Sequence, residues 1–158
     1  MPKAEWNTPA WREERDRQLE GWLGEDAARC VVMLSGIAEV WDDMVDIGEA
    51  EPARRDRAFV HALVHLQYNR FWQEHQRSLM PLIVVSINAW MDSNQMQETD
   101  SANERILAYS LRNLSYELAS MAAFCVGGWE HLRAVSLPMR RFFVNDPYSE
   151  WEHRYEPG

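Results

Sequence analysis

The stretch Leu34-Ser35-Gly36-Ile37-Ala38-Glu39-Val40-Trp41-Asp42-Asp43-Met44-Val45-Asp46-Ile47-Gly48-Glu49 decides the fold class. Leu34, Ile37, Ala38, Trp41, Met44 and Val45 recur at the i, i+3, i+4, i+7 spacing of a helix face. Asp26 is placed to cap this helix and Gly48 to end it. Between the apolar positions, Glu39, Asp42, Asp43, Asp46 and Glu49 put five carboxylates into eleven residues. At about 100° per residue these acids fall between about −80° and +40° of Glu39, while the apolar stripe is centred about 190° away. The spacing therefore predicts a core stripe anchored by Trp41 and, opposite it, an acidic face turned to solvent or to a partner.

The rest of the chain repeats the helical period, and no segment of useful length alternates as a strand would. Thr8-Pro9 reads as a cap with Pro at the first helical position of a charged, peripheral helix over residues 1–24, packed through Trp11 and Trp22 and stopped by Gly24. After the break at Glu51-Pro52, Phe59, Ala62, Leu63 and Leu66 form the stripe of a third helix, and a turn follows at Tyr68-Asn69. The segment from Arg70 to Gln97 contains Pro81, which predicts a kink or two helices. Its second half, Leu82 to Met91 with Trp90, is apolar nearly all round and is expected at the centre of the fold. Ser101-Ala102-Asn103-Glu104 fits a capping box. From there Leu107, Leu111, Leu114, Leu118, Met121, Ala122 and Cys125 hold one stripe along a long helix in the C-terminal half, with Leu111 and Leu118 as core anchors. Gly127-Gly128 serves close contact or a bend, and Pro138 begins a short last helix. The tail, 145–158, is polar with Tyr148, Trp151 and Tyr155, and is expected to dock on the protein's own body or on a partner. The expectation is a single all-α domain, 1–158, a bundle of five to seven helices.

Composition narrows the function classes. The 158 residues include 46% hydrophobic and 26% charged residues, ordinary for a soluble globular chain. Eight tryptophans are many, and tryptophan serves interfaces as well as cores. A net charge of −9 argues against wrapping nucleic acid, since the basic groups Arg54-Arg55-Arg57 and Arg140-Arg141 have acidic neighbours. The longest apolar run, Leu79 to Met91, is about 13 residues where a membrane span needs roughly 20. The first residues lack the apolar segment of a secretory signal. Cys30 and Cys125 lie in apolar helical patterns and read as buried free thiols.

Two groups of residues could hold a metal. His61 and His65 stand one turn apart, a chelating geometry for a transition metal, but they bring only two ligands and fall off the apolar stripe. Asp42-Asp43-Met44-Val45-Asp46 resembles the Asp-Asp-x-x-Asp motif of isoprenoid synthases, which implies magnesium and a diphosphate substrate. Hard divalent cations do need several carboxylate oxygens close together. The resemblance covers five residues, the chain is short for that class, and neither Asp100 with Glu104 nor Asn113 with Glu117 has the spacing of the required second motif. No nucleophile elbow, phosphate-cradling glycine loop or Cys-x-x-Cys is present. No cofactor is expected, magnesium at Asp42, Asp43 and Asp46 with Glu39 in support being the alternative.

A broader similarity is carried by Ile37 to Asp46, Arg57-Ala58-Phe59-Val60-His61-Ala62-Leu63, and Tyr68-Asn69-Arg70-Phe71-Trp72 with His75. It continues through Leu79-Met80-Pro81-Leu82-Ile83, Ala89-Trp90 and Gly127-Gly128. Together these resemble a family of small helical proteins encoded by tailed bacteriophages and prophages, over roughly residues 30 to 145. The resemblance implies a helical fold, a place in the host cytoplasm during infection or in the virion, and action through protein surfaces. It brings no catalytic residues. The resulting expectation is a non-enzymatic protein that binds itself or other phage proteins, with neither nucleic acid nor membrane as partner.

Overall fold

The computed structural model describes residues 8–46, 48, 50–112 and 115–143. Helices account for nearly all of them, with no strand among the described residues. In chain order they are α1 (Pro9–Leu23), α2 (Glu25–Asp46), α3 (Pro52–Val60), α4 (Arg70–Met96), α5 (Ala102–Leu111) and α6 (Ser115–Phe143). A π-helical turn, His61–His65, and a last turn, Leu66–Tyr68, continue α3. No described helix is long and apolar enough to cross a membrane. The chain divides into two compact units, Glu13–Arg77 and Met1–Arg12 with Ser78–Gly158. Their boundaries fall inside α1 and α4, which accounts for the lack of any linker composition in the sequence.

In the first unit, local chemistry sets the helix ends. Gly24, at φ 77°, ends α1 and its carbonyl accepts from Ala28 N–H at 3.0 Å, so α2 begins at once. Gly24 thus stands where Asp26 was expected as cap, and Asp26 lies in the first turn of α2, favourably placed at the positive end of the helix. Asn69 breaks the helical run at ψ 123° and caps α4: its Oδ1 accepts from Trp72 N–H at 2.8 Å. Its Nδ2 donates to the Asp26 carbonyl at 2.8 Å, tying the start of α2 to the start of α4. A cap of this kind contributes about 1 kcal/mol. The core comprises Leu19, Leu23, Ala27, Ala28, Cys30, Val31, Val40, Ala58, Leu66, Phe71 and Trp72.

Several expected core positions are not in the core. α1 packs by Leu19 and Leu23, with Trp22 only half-buried. α2 is buried through its N-terminal half, and of its last two turns only Val40 is covered; Trp41 is 41% exposed, and Met44 and Val45 are exposed as well. Trp41 is therefore no core anchor. On α3 and its continuation the expected stripe is split: Leu66 is buried, with Ala58 beside the stripe, while Phe59 and Leu63 face outward.

In the second unit, Thr8 Oγ1 accepts from Trp11 N–H at 3.2 Å, as the Thr8-Pro9 reading requires, and Trp11 stacks on Phe142 with ring centroids 6.5 Å apart. α4 runs unbroken with Pro81 inside it. The segment expected at the centre, Leu82 to Met91, contains no buried residue; Trp90 is half-buried. Ser101 caps α5 by accepting from Glu104 N–H at 3.4 Å, while its own N–H donates to Thr99 Oγ1 rather than to Glu104. Arg112, past the end of α5, donates to Asn94 Oδ1 at 3.0 Å and to buried Gln97 Oε1 at 2.5 Å.

The C-terminal-half helix is bent at Gly127 (φ −140°, ψ 15°) and Gly128 (φ 70°, ψ −164°). The bend is a reversal. Arg140 pairs with Glu117 at 2.7 Å, and the Tyr116 hydroxyl donates to the Phe143 carbonyl, with their rings 5.7 Å apart. In a straight helix those last two residues would lie about 40 Å apart. Leu118, Ala119, Ser120, Ala122 and Ala123 on one arm and Ser136 and Met139 on the other are buried, and the small side chains permit close approach. Leu118 is thus the one expected anchor in the core, Leu111 being half-buried. Pro138 lies inside the second arm and does not begin a helix. Leu114 and the tail 145–158 lie outside the described residues.

Candidate functional site

The acidic end of α2 is held by α3. Asp43, on the side of α2 that carries buried Val40, receives a hydrogen-bonded ion pair from Arg54 Nη1 at 2.6 Å. Each side chain is about one-third exposed. In that setting the pair is worth up to about 1 kcal/mol. Glu39 and Asp46 are exposed, Asp42 is half-buried, and Glu49 lies outside the described residues. The arrangement has a chemical consequence: the carboxylate nearest the middle of the expected metal triad already neutralises a guanidinium. Among the described residues no group of three or more His, Cys, Asp or Glu is arranged to hold a metal ion.

His61 and His65 do meet, with ring centroids 5.5 Å apart and planes tilted by 44°. The π-helical turn that contains them is a local widening of the helix, a feature often found at functional positions. His61 is half-buried and His65 exposed. Burial, the neighbouring His65 and Arg57 all press the His61 imidazole below its ordinary pKa, burial most.

His65 also lines a cleft of about 480 Å³ that the sequence did not single out. Asp16 and Glu20 come to it from α1, Asp26 and Arg29 from the first turns of α2, and Tyr68 from the end of α3's continuation. Ala28, Val32 and Met33 supply its apolar wall. Asp16 is paired with Arg15 at 2.8 Å and Arg29 with Glu25 at 2.5 Å, so the rim has a net negative charge. Nothing in the sequence distinguished Asp16 or Glu20 from the other charged residues of α1; their spacing of four puts them on one helix face, and only the fold brings Asp26, Arg29, His65 and Tyr68 to the same cleft.

Both thiols are free. Cys30 is wholly buried, and burial pushes its pKa up to about 12, which leaves it inert as a nucleophile. Half-buried Cys125 is shifted in the same direction by the same cause. No family model, no curated protein and no solved structure matches this chain.

Proposed function

We propose that the protein is a phage-encoded, non-enzymatic helical protein that acts by binding other proteins, a second copy of itself among them, as a virion component or an assembly factor. The phage origin rests on the resemblance carried by the segments between residues 30 and 145. One observation carries the binding reading: helices that should bury their apolar stripes leave them uncovered. On α3 and its π-helical turn, Phe59, Val60, Leu63 and Val64 are all exposed, Leu63 at 73%. These positions, i, i+1, i+4 and i+5, form one helix face. Contiguous apolar surface of this kind marks an interaction site. The diphosphate reading has weaker support, because Asp43 would have to release Arg54 before joining a metal site.

Sedimentation of the full chain at micromolar concentration tests the proposal. The expected result is a species of at least two chains. A strict monomer that also retains no phage component on purification would overturn it.

A further inference from the structure

α4 carries a second uncovered face, and apart from Val85, which is exposed to one side of it, its apolar residues lie on a narrower strip than those of α3. Met80, Val84, Ile87 and Met91 alternate spacings of four and three, the seam of a helix that packs along another helix. All four are exposed, Val84 at 59%. The flanking positions Pro81, Ile83, Asn88 and Trp90 are uncharged, and no residue from Ser78 through Met91 has a charge. That absence matters in a chain of net charge −9, which repels its own copy. A face free of carboxylates is where two copies can approach without like charges being desolvated.

The ends of α4 select an orientation. Its N-terminal part carries Arg70, Glu74 and Arg77, with Arg70 paired to Glu74 at 2.9 Å, so Arg77 leaves that end positive. Its C-terminal part carries Asp92, whose carboxylate accepts from Asn88 Nδ2 at 3.0 Å beside the seam. A parallel pair would set Arg77 against Arg77 and Asp92 against Asp92. An antiparallel pair sets unlike charges at both ends and opposes the two helix dipoles. A two-fold axis generates this contact from one surface, because the seam is its own complement when reversed: Met80 meets the partner's Met91, and Val84 meets the partner's Ile87.

We infer that α4 is the self-association surface, pairing antiparallel with α4 of a second copy through Met80, Val84, Ile87 and Met91. This rests on the self-binding part of the proposed function, and the test separates the two. Sedimentation equilibrium of the full-length wild type is compared with Val84→Glu and, as a second variant, Met91→Lys, with far-UV circular dichroism reporting the fold. Both sites are exposed, so the helices are expected to persist while the dimer weakens at least about tenfold. A monomeric wild type would overturn the self-binding reading and this surface with it. A dimeric wild type whose two folded variants dimerise unchanged would overturn the surface alone. Orientation is read by oxidation of Met80→Cys and Met91→Cys. Each alone is expected to give no more covalent dimer than wild type, and their mixture is expected to give cross-linked dimer. Cross-linking of each variant with itself would overturn the antiparallel arrangement. Flotation of a monomeric wild type, but not of Val84→Glu, with phosphatidylcholine vesicles would place a lipid surface on this face and overturn the inference.

Discussion

His61 shows how a single residue feels the geometry around it. Its ring lies against His65 in a π-helical turn and near Arg57, and burial and both neighbours disfavour its protonated form. In the unfolded chain those influences vanish, and the imidazole takes up a proton at its ordinary value. Below that value the unfolded state therefore binds more protons than the folded state, and stability falls as the pH is lowered. The expected outcome is that His61→Gln loses less melting temperature than wild type between neutral and mildly acidic pH. Equal losses in thermal scans of the two proteins would count against it. The pairing of the two histidines and the proximity of Arg57 both follow from spacings of four, but the widened turn is a backbone outcome that spacing does not specify.

At the scale of elements, the decisive feature is the reversal within α6. Gly128 combines φ 70° with ψ −164°, a region that only glycine enters without strain, and no other atoms crowd its Cβ position. Gly127 differs: an added Cβ would fall 2.6 Å from His131 Cβ. Gly128→Ala is expected to lower stability by about 1–3 kcal/mol in urea unfolding, because the penalty is conformational and cannot be relieved by moving a neighbour. An unchanged midpoint would show that the reversal has other solutions. Two glycines in an apolar helix marked the place in the sequence. That the chain folds back there depends on contacts such as Arg140 with Glu117, formed between residues far apart in sequence. The two prolines make the complementary point: Pro81 and Pro138 both sit inside helices, where the surrounding turns hold the backbone helical despite the missing N–H.

For the molecule as a whole, charge and uncovered apolar surface act in opposite directions. A net charge of −9 on each copy opposes self-association, whereas the exposed stripes of α3 and α4 favour it. The repulsion acts over the Debye length, about 10 Å at 0.1 M salt and about 3 Å at 1 M, while apolar burial is not weakened by salt. Self-association is therefore expected to tighten when sodium chloride is raised from low to high concentration, as read by sedimentation. Weakening would mean that ion pairs, such as those at the ends of α4, hold the assembly instead.

The sequence by itself determined that the protein is helical, since the period of about 3.6 residues is a property of neighbouring side chains on one element. It also marked where helices begin, at Thr8, Asn69 and Ser101, and where α1 ends, at Gly24, because capping is local chemistry. Which apolar stripe became core was decided only by tertiary structure. Trp41, Phe59, Leu63 and Val84 have the right spacing for burial, yet burial needs a second surface, and a stripe cannot specify from within whether that surface belongs to the same chain. The same limit applied to the acidic end of α2, where Asp43 became the partner of Arg54 because α3 packs there, leaving Glu39 and Asp46 as the exposed carboxylates.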